Sequence, residues 1–585
     1  MAEETKTQDK LTIINELARR RGFYWPSYEI YGGASGFVTY GLLGAKLKQK
    51  IENKLREVFV NKLGILEMES PVITPGTVFE ASGHIDHFKE PMVECQKCKK
   101  NFRADHLLRE NRIMSEAEAE KLSLKELAEV IEKNGVRCPD CNGAFGEPKQ
   151  FLTMFKTTIG PYSDATGYGR PEAAQGIFVE FNRLYGMARG KLPFGVLQIG
   201  HALRNEISPR QGLMRLREFT IADLEFFFDP EDEDCYTLKE VENEKLQFLL
   251  AETRQKDSEE LTELTVKEAL QKGVVKTQWL AVFMALAKRL LKDLGVPAEK
   301  QRFIEKLPWE RAHYSQQTFD QEVLLDRWGW TEASGHAYRT DYDLKSHMDS
   351  SGVDMMVFKE YGKPVEKEQV IIKPIMAKLG PIFKGEAGKI AELFAKADPV
   401  EVETSFKKNG YHMLGNYKIL PEYVDISRQK TVERGRRFIP HVIEPSFGID
   451  RLFYIAMEYA YQVKEDRAVM SFPCDIAPVQ VGVFPLMSKD DIPEKTLKLH
   501  KMLLDEGFVA EYDEGGSIGR RYARADEAGI PLGITLDYDT LKDDTVTVRH
   551  RDSWKQVRTP IKALPDLLHS YFRKKLDFED IGKPI

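Results

Sequence analysis

The sequence predicts an α+β protein of several structural units, ending in a separate α/β domain. Three observations predict it. A chain of 585 residues exceeds what one hydrophobic core sustains, so about two to four units are expected. Runs such as FGVLQIG and TIADLEFFF read as strands, whereas AKLKQKIENKLREVFVNKL carries apolar residues at helical spacing. From Gln480 the pattern becomes strand, helix, strand, helix, strand (QVGVFPL, EKTLKLHKMLLDEG, FVAEYDE, RRYARADEAG, PLGITL), which predicts a mainly parallel or mixed sheet.

In chain order, helices are expected at 10–22 and 44–62, the second stopping at Gly64. ILEMESPVITP follows, a strand-like run broken by Pro71, which suits a sheet edge or a subunit contact. Residues 93–150 read as an inserted unit in which Ser115 with Glu118 and Ser123 with Glu126 fit capping boxes and Gly135 fits a helix stop. The charged stretch 230–308, opening on DPEDED, reads as a helical insertion, and 350–436 as a mixed insertion around the helix EAGKIAELFAKA. Residues 1–474 then form the main body and 475–585 the terminal domain.

The composition, with 42% hydrophobic and 30% charged residues, is that of an ordinary globular protein. The polar N-terminus has no apolar signal core, and no stretch approaches the roughly 18 apolar residues of a membrane span, so a cytoplasmic location is expected. The net charge of −7 argues against binding nucleic acid by bulk electrostatics and leaves local basic patches as the route. Four of the six cysteines form two CxxC pairs, Cys95/Cys98 and Cys138/Cys141. In a reducing compartment this reads as an all-thiolate structural zinc site rather than as disulfides.

Two constellations carry chemistry. In the first, Arg204-Asn205-Glu206 follows a strand-like run, which would put Arg204 and Glu206 on one face. After the loop ISPRQGLMRL, with Arg210 and Arg215, a return strand places Arg217, Phe219, Ile221, Asp223 and Glu225 on one face. Arginines hold phosphates and an aromatic ring stacks on a base, although a salt-bridged surface hairpin would read the same way. In the second, Glu444 and Ser446 share a strand face and Arg451 stands at the junction with an apolar helix; a capped helix after a buried strand is the plainer alternative.

Together these segments resemble class II aminoacyl-tRNA synthetases. Arg204-Asn-Glu206 with Arg217-Glu-Phe219 is similar to motif 2, Gly448-Ile-Asp-Arg451 to motif 3, and the helix before Gly64 with the Pro71 strand to motif 1, the dimer-forming element. GHIDHF, FRADHLL, FLTMFKTTIGP, GRPEAAQGIFVEF, RNEISPRQGL and VIEPSFGIDR resemble the homodimeric glycyl-tRNA synthetases of archaea and eukaryotes. The region after 475 resembles the anticodon-binding domain shared by the glycine, proline, histidine and threonine enzymes. The resemblance implies an antiparallel catalytic sheet flanked by helices, ATP, glycine and tRNA(Gly) as substrates, magnesium on the phosphates, and a homodimer. The absence of a GxxxxGK[ST] loop agrees with phosphates held by side chains.

Residue by residue, the resemblance implies that Arg204 contacts the α-phosphate and the glycine carboxylate and that Glu206 accepts from the adenine amino group. Phe219 and Arg451 would sandwich the adenine, and Arg215 or Arg217 would reach the outer phosphates, with Glu433 a candidate magnesium ligand. Glu29, Glu172, Asp223, Arg339, Glu444 and Ser446 would surround glycine. The family usually has Glu at Asp223 and Thr at Gly169 and Ala173. Histidines 84, 87 and 106 fall in family segments, where shape and hydrogen bonding are the expected roles. In the terminal domain Arg520, Arg521, Tyr522 and Arg524, after a glycine-rich turn, would meet the tRNA. A non-catalytic relative, such as a DNA polymerase accessory subunit, would lack the nucleotide residues, all present here, and a sister enzyme for proline, threonine or histidine would need a side-chain pocket.

Overall fold

The computed structural model describes residues 9–585 except 115, 120, 162–164, 210 and 233. Ser115 and Arg210 therefore lie outside the described residues. The chain divides into two compact units, Met1–Met355 with Pro440–Ile585, and Met356–Ile439.

A nine-stranded sheet organises the first unit. Its strands are β1 (Leu66–Glu67), β2 (Phe194–Leu203), β3 (Glu218–Phe228), β4 (Lys245–Leu249), β5 (Thr262–Thr265), β6 (Gln301–Glu305), β7 (Gln317–Leu325), β8 (Gly329–Thr340) and β9 (His441–Gly448), in the order β5-β4-β6-β7-β8-β9-β3-β2-β1. All neighbours are antiparallel except β2 with β1 and β4 with β6. Four helices bury their apolar faces in this unit's core: α1 (Lys10–Arg21), α2 (Leu42–Leu55), α3 (Gln278–Asp293) and α4 (Ile449–Ala460).

Sequence dictates these elements locally. Gly22, at φ 74°, ends α1 by donating its N–H to the Ala18 carbonyl. The start of α2 is pressed on Phe23 so closely that a Cβ at Gly44 would stand 1.7 Å from the Phe23 carbonyl oxygen, which only glycine permits. After α2 one π-helical turn, Arg56–Asn61, leads to Gly64 at φ 67° and to β1, the edge strand preceding Pro71. Thr277 caps α3 by accepting from the Leu280 N–H, and α3 is buried nearly all round, from Trp279 to Leu291.

Residues 230–308 are not a helical insertion. They supply β4, β5 and β6 to the central sheet and α3 to its core. Their surface charges mask strands too short to show a period.

Residues 89–152 hold a three-stranded sheet, Lys89–Glu94 pairing with Asn101–Arg103 and Lys149–Leu152. Ser123 and Glu126 form a full capping box on the helix Leu124–Lys133, and Gly135 follows its end at φ 61°. In the second unit, Val357–Pro374 and Val424–Phe438 form a long antiparallel ribbon; Glu433 lies on it opposite Val365.

A mixed sheet closes the chain: β10 (Val481–Pro485), β11 (Ala510–Tyr512), β12 (Leu532–Leu536), β13 (Thr545–His550), β14 (Gln556–Pro560) and β15 (Lys583–Pro584). Its order is β11-β10-β12-β13-β14-β15, parallel at β11-β10-β12 and antiparallel beyond. It has its own core around Val481, Leu503, Ile534 and Val548. Yet helix α5 (Ile518–Ala528) turns Ala525 and Ala528 into the core that holds Phe23, Phe472 and Ile476. Glu527 also pairs with Arg20 at 3.0 Å and Arg21 at 2.5 Å on α1. Among the described residues no helix is long and apolar enough to cross a membrane.

Candidate active site and metal centre

The middle of the sheet sets the site. Register places Gln198 on β2, Asp223 on β3, Ser446 on β9 and Gly335 on β8 side by side across four strands. Two cavities open beside this row, of about 430 and 220 Å³, and both are lined by Arg204, Ile221 and Ser446.

The larger cavity gathers Arg204, Glu206, Arg215, Phe219 and Arg451. β2 ends at Leu203, so Arg204 and Glu206 do not stand on a strand as expected. Pairing persists for one residue, the Arg204 N–H donating to the Arg217 carbonyl, and then Asn205 turns away to the Thr153 carbonyl. The Arg204 Nε donates to the Pro171 carbonyl at 3.0 Å, and its guanidinium lies 5.3 Å from the Phe219 ring centre and 5.8 Å from that of Phe88. Arg215 binds Glu206 with Nε at 2.7 Å and Nη2 at 2.6 Å. Arg451 pairs with Glu332 at 3.1 Å, which holds the Glu332 carboxyl below its ordinary range.

Arg217 does not line this cavity. Its guanidinium donates to the carbonyls of Glu206 and Ser35, so it braces the loop instead of facing a phosphate. Sequence reasoning missed Glu90, Arg103 and Glu332, which do line it. Only FRADHLL, which contains Arg103, gave a signal.

The smaller cavity is walled by carboxylates: Glu172, Asp223 and Glu444. Glu172 lies 3.1 Å from His84 Nε2 and accepts from Gln175 at 3.2 Å. Burial opposes its charge, but the His84 and Arg339 side chains beside it hold the carboxyl well below the usual range. Asp223 accepts from the Ala173 N–H at 2.6 Å and the Ser446 hydroxyl at 2.5 Å, so both of its oxygens already have donors. Burial, reinforced by Glu172, pushes its pKa up. Glu444 is pushed up to about 7, burial being the largest cause, with Arg339 opposing and Glu172 and Asp223 adding to it. Gly169 has a local reason: a Cβ there would stand 2.4 Å from Leu203 Cδ1.

Arg339 is fully buried behind this wall. It forks onto Asp343 at 2.8 and 2.9 Å, lies 2.8 Å from Glu444, and stacks 3.6 Å from the Tyr314 ring centre. It supports Glu444 and does not itself line the cavity, whereas Tyr314 and Lys306, missed from sequence, do. Glu225, on the same strand face as Asp223, is fully buried and far above its ordinary pKa, through burial and then Glu444. Glu29 does not join the site: it is exposed and pairs with Arg19 at 2.9 Å.

The four cysteines of the two pairs converge, with Sγ atoms 3.4 Å apart for Cys95–Cys141, 3.6 Å for Cys98–Cys138 and all within 4.8 Å of one another. A tetrahedral zinc with Zn–S near 2.3 Å sets sulfurs about 3.8 Å apart, so the residues fit that ion. Among the described residues they are the one such cluster; histidines 84, 87 and 106 form none.

On α5, Arg521 is a correction. Its guanidinium is buried and donates to the carbonyls of Pro485, Glu514 and Gly516, closing the loop before the helix; Nε is left without a partner among the described residues but is buried too, so the side chain is not presented to a phosphate at the surface. The Tyr522 hydroxyl bonds Thr535 at 2.6 Å and the Arg549 guanidinium sits 4.7 Å over its ring, which occupies one stacking face. Arg524 pairs with Asp513 at 2.6 Å, and Arg520 is exposed.

An antiparallel sheet that lines a nucleotide-sized cavity with arginines from a strand–loop–strand and from a strand–helix junction defines a class II aminoacyl-tRNA synthetase. Comparison with known proteins narrows the class. Residues 480–571 match the anticodon binding domain family. The whole chain is 45% identical to a glycine–tRNA ligase of Aeropyrum pernix, with 99% of each chain covered. It is 46% identical to that of Methanocaldococcus jannaschii over 95% of this chain and 98% of the relative. For Pyrococcus horikoshii the figures are 45%, 95% and 98%. The chain belongs to the glycine–tRNA ligase family.

Proposed function

We propose that the chain activates glycine with ATP and transfers it to the 3′ end of tRNA(Gly). The observation that carries this reading is the pair of cavities with a common wall at Arg204 and Ser446. ATP in the larger and glycine in the smaller would bring the α-phosphate and the glycine carboxylate together beside Arg204. The carboxylate is already a nucleophile, so the chain's task is to orient it and to spread the charge that develops on phosphorus. Phe219 and Arg451 flank the adenine, Glu206 accepts from its amino group, and Arg215 reaches the outer phosphates. Magnesium supplies charge neutralisation on those phosphates when bound. Glycine-dependent ATP–pyrophosphate exchange, tested with each amino acid in turn, checks the reading; exchange with proline, threonine or histidine instead of glycine would overturn it.

Glycine offers no side chain to grip, so its ammonium is the handle, and Glu172 and Glu444 are the carboxylates that receive it. Asp223 helps through Ser446, since its own oxygens are already engaged. The raised Glu444 gives a pH dependence. Below about 7 the carboxyl is neutral and its attraction for the ammonium is lost; above, it is charged. The KM for glycine is therefore expected to rise about tenfold as pH falls from about 8 to about 6, as the ionised fraction drops. Glu444→Gln should raise the KM and flatten this profile.

We assign Cys95, Cys98, Cys138 and Cys141 to a structural zinc that ties the two ends of the inserted unit. Metal analysis of protein purified without chelators should find about one zinc per chain. Cys138→Ser should abolish it; a zinc-free wild type would refute the assignment. The domain reading that follows has residues 1–474 as the catalytic body and 475–585 as the anticodon reader, with Arg520 the most exposed of the four proposed tRNA contacts. We also assign a cytoplasmic location and a second copy docking on α2 and the edge strand β1.

A further inference from the structure

The nucleotide cavity contains a conflict. Glu206 is to accept from adenine and Arg215 is to reach the outer phosphates, yet the two pair, Nε at 2.7 Å and Nη2 at 2.6 Å from the one oxygen Oε2, so each must serve two partners at once. A guanidinium shared between Glu206 and a phosphate is held in one orientation best when a second carboxylate supports it.

Glu90 stands where such a partner is needed. It lines the same cavity, and its Oε1 lies 3.8 Å from Arg215 Nη2. Arg103 holds that oxygen from the other side at 2.7 Å. Arg103 is itself locked by Asp105, which is fully buried, with Nε 3.0 Å from Oδ1. The other Glu90 oxygen, Oε2, is buried and has no hydrogen-bond partner among the described residues. A buried carboxylate oxygen without a donor is costly, and costs less once a donor arrives. Burial also raises the Glu90 pKa, with Arg103 opposing. The chain of charges thus runs Asp105, Arg103, Glu90, Arg215, Glu206, with the second link of Arg215 slack and the first tight.

We propose that Glu90 is a positioning residue for Arg215: its carboxylate stands on the other side of the guanidinium from Glu206 and holds it so that Glu206 keeps an oxygen for adenine and Arg215 keeps a donor for the phosphates. Glu90 and Arg103 lie on the strands Lys89–Glu94 and Asn101–Arg103 that flank Cys95 and Cys98. The cysteine-bearing unit therefore builds part of the nucleotide wall, and the order of that unit is felt at the ATP site. The inference rests on the nucleotide assignment made above.

Glycine-dependent ATP–pyrophosphate exchange by the full chain tests it. Glu90→Gln keeps size and removes charge, and is expected to raise the KM for ATP about tenfold while the KM for glycine stays within about twofold, the scale of a coupled charge pair. In an Arg215→Ala background the same change should raise the KM for ATP less than about twofold, because Glu90 acts through Arg215. A KM for ATP unchanged in Glu90→Gln, an equal rise for glycine and ATP, or full additivity with Arg215→Ala would each overturn the proposal. Wild-type protein with no glycine-dependent exchange would instead overturn the functional reading beneath it.

Discussion

Replacing Arg204 with alanine is expected to lower glycine-dependent ATP–pyrophosphate exchange at least about a hundredfold, the cost of removing one preorganised donor from developing charge. The size of the effect follows from position. Arg204 lines both cavities, so it alone among the cavity arginines can meet the α-phosphate and the glycine carboxylate together. Its Nε is fixed on the Pro171 carbonyl, which holds the guanidinium in place before substrates arrive. The fold should survive, because the side chain is half-buried and its main neighbours, the rings of Phe88 and Phe219, lie more than 5 Å from the guanidinium carbon. The check is exchange activity together with circular dichroism and a melting curve. A folded variant with near-normal exchange would remove Arg204 from the reaction.

Arg339→Ala should act the other way, on the fold before the chemistry. Among the described residues Arg339 is the one guanidinium bonded to both Asp343 and Glu444, and it is fully buried. Its removal would leave those carboxyls, and Glu225 beside them, without the guanidinium that offsets their charge. Breaking a buried pair from one side costs about 3–5 kcal/mol. The first thermal transition should fall clearly below that of the wild type; the chain has more than one unit, so one two-state value is not expected. Arg339→Lys should recover little, since an ammonium cannot make the fork onto Asp343 and reach Glu444 as well. An unchanged melting curve for Arg339→Ala would show that the network does not support the sheet.

What sequence could reveal depended on how local the information was. Arg204, Glu206, Phe219 and Arg451 were legible because each lies in a short motif, and β9 brings the second motif against β3. The strand and helix alternation after Gln480 was legible because each element has its own period. Arg521 was not. Its position on α5 is readable, but its fate is set by carbonyls of Pro485 and Glu514 that only the folded loop delivers. Glu29 sits in a short 3-10 turn, Glu29–Tyr31, and its partner, Arg19, makes an ordinary surface pair. Glu90, Glu332 and Tyr314 come from segments that gave no signal, and FRADHLL did not single out Arg103; tertiary structure alone gathers the four. β4, β5 and β6 were hidden because three short strands scattered among charges look like one solvated helical stretch.

The packing of α5 on α1 limits how this protein can be recombined. A tail taken from a relative would carry its own counterpart of Glu527 and of the small residues Ala525 and Ala528, but would meet Arg20, Arg21 and Phe23 chosen for this tail. Cutting the chain after residue 474 would strip Ile476, Ala477 and Val479 from the shared core along with α5. The stump would then present an apolar patch to solvent and invite aggregation. Residues 10–23 and 476–585 are thus inherited as a matched set, and a working chimera would have to exchange both ends at once.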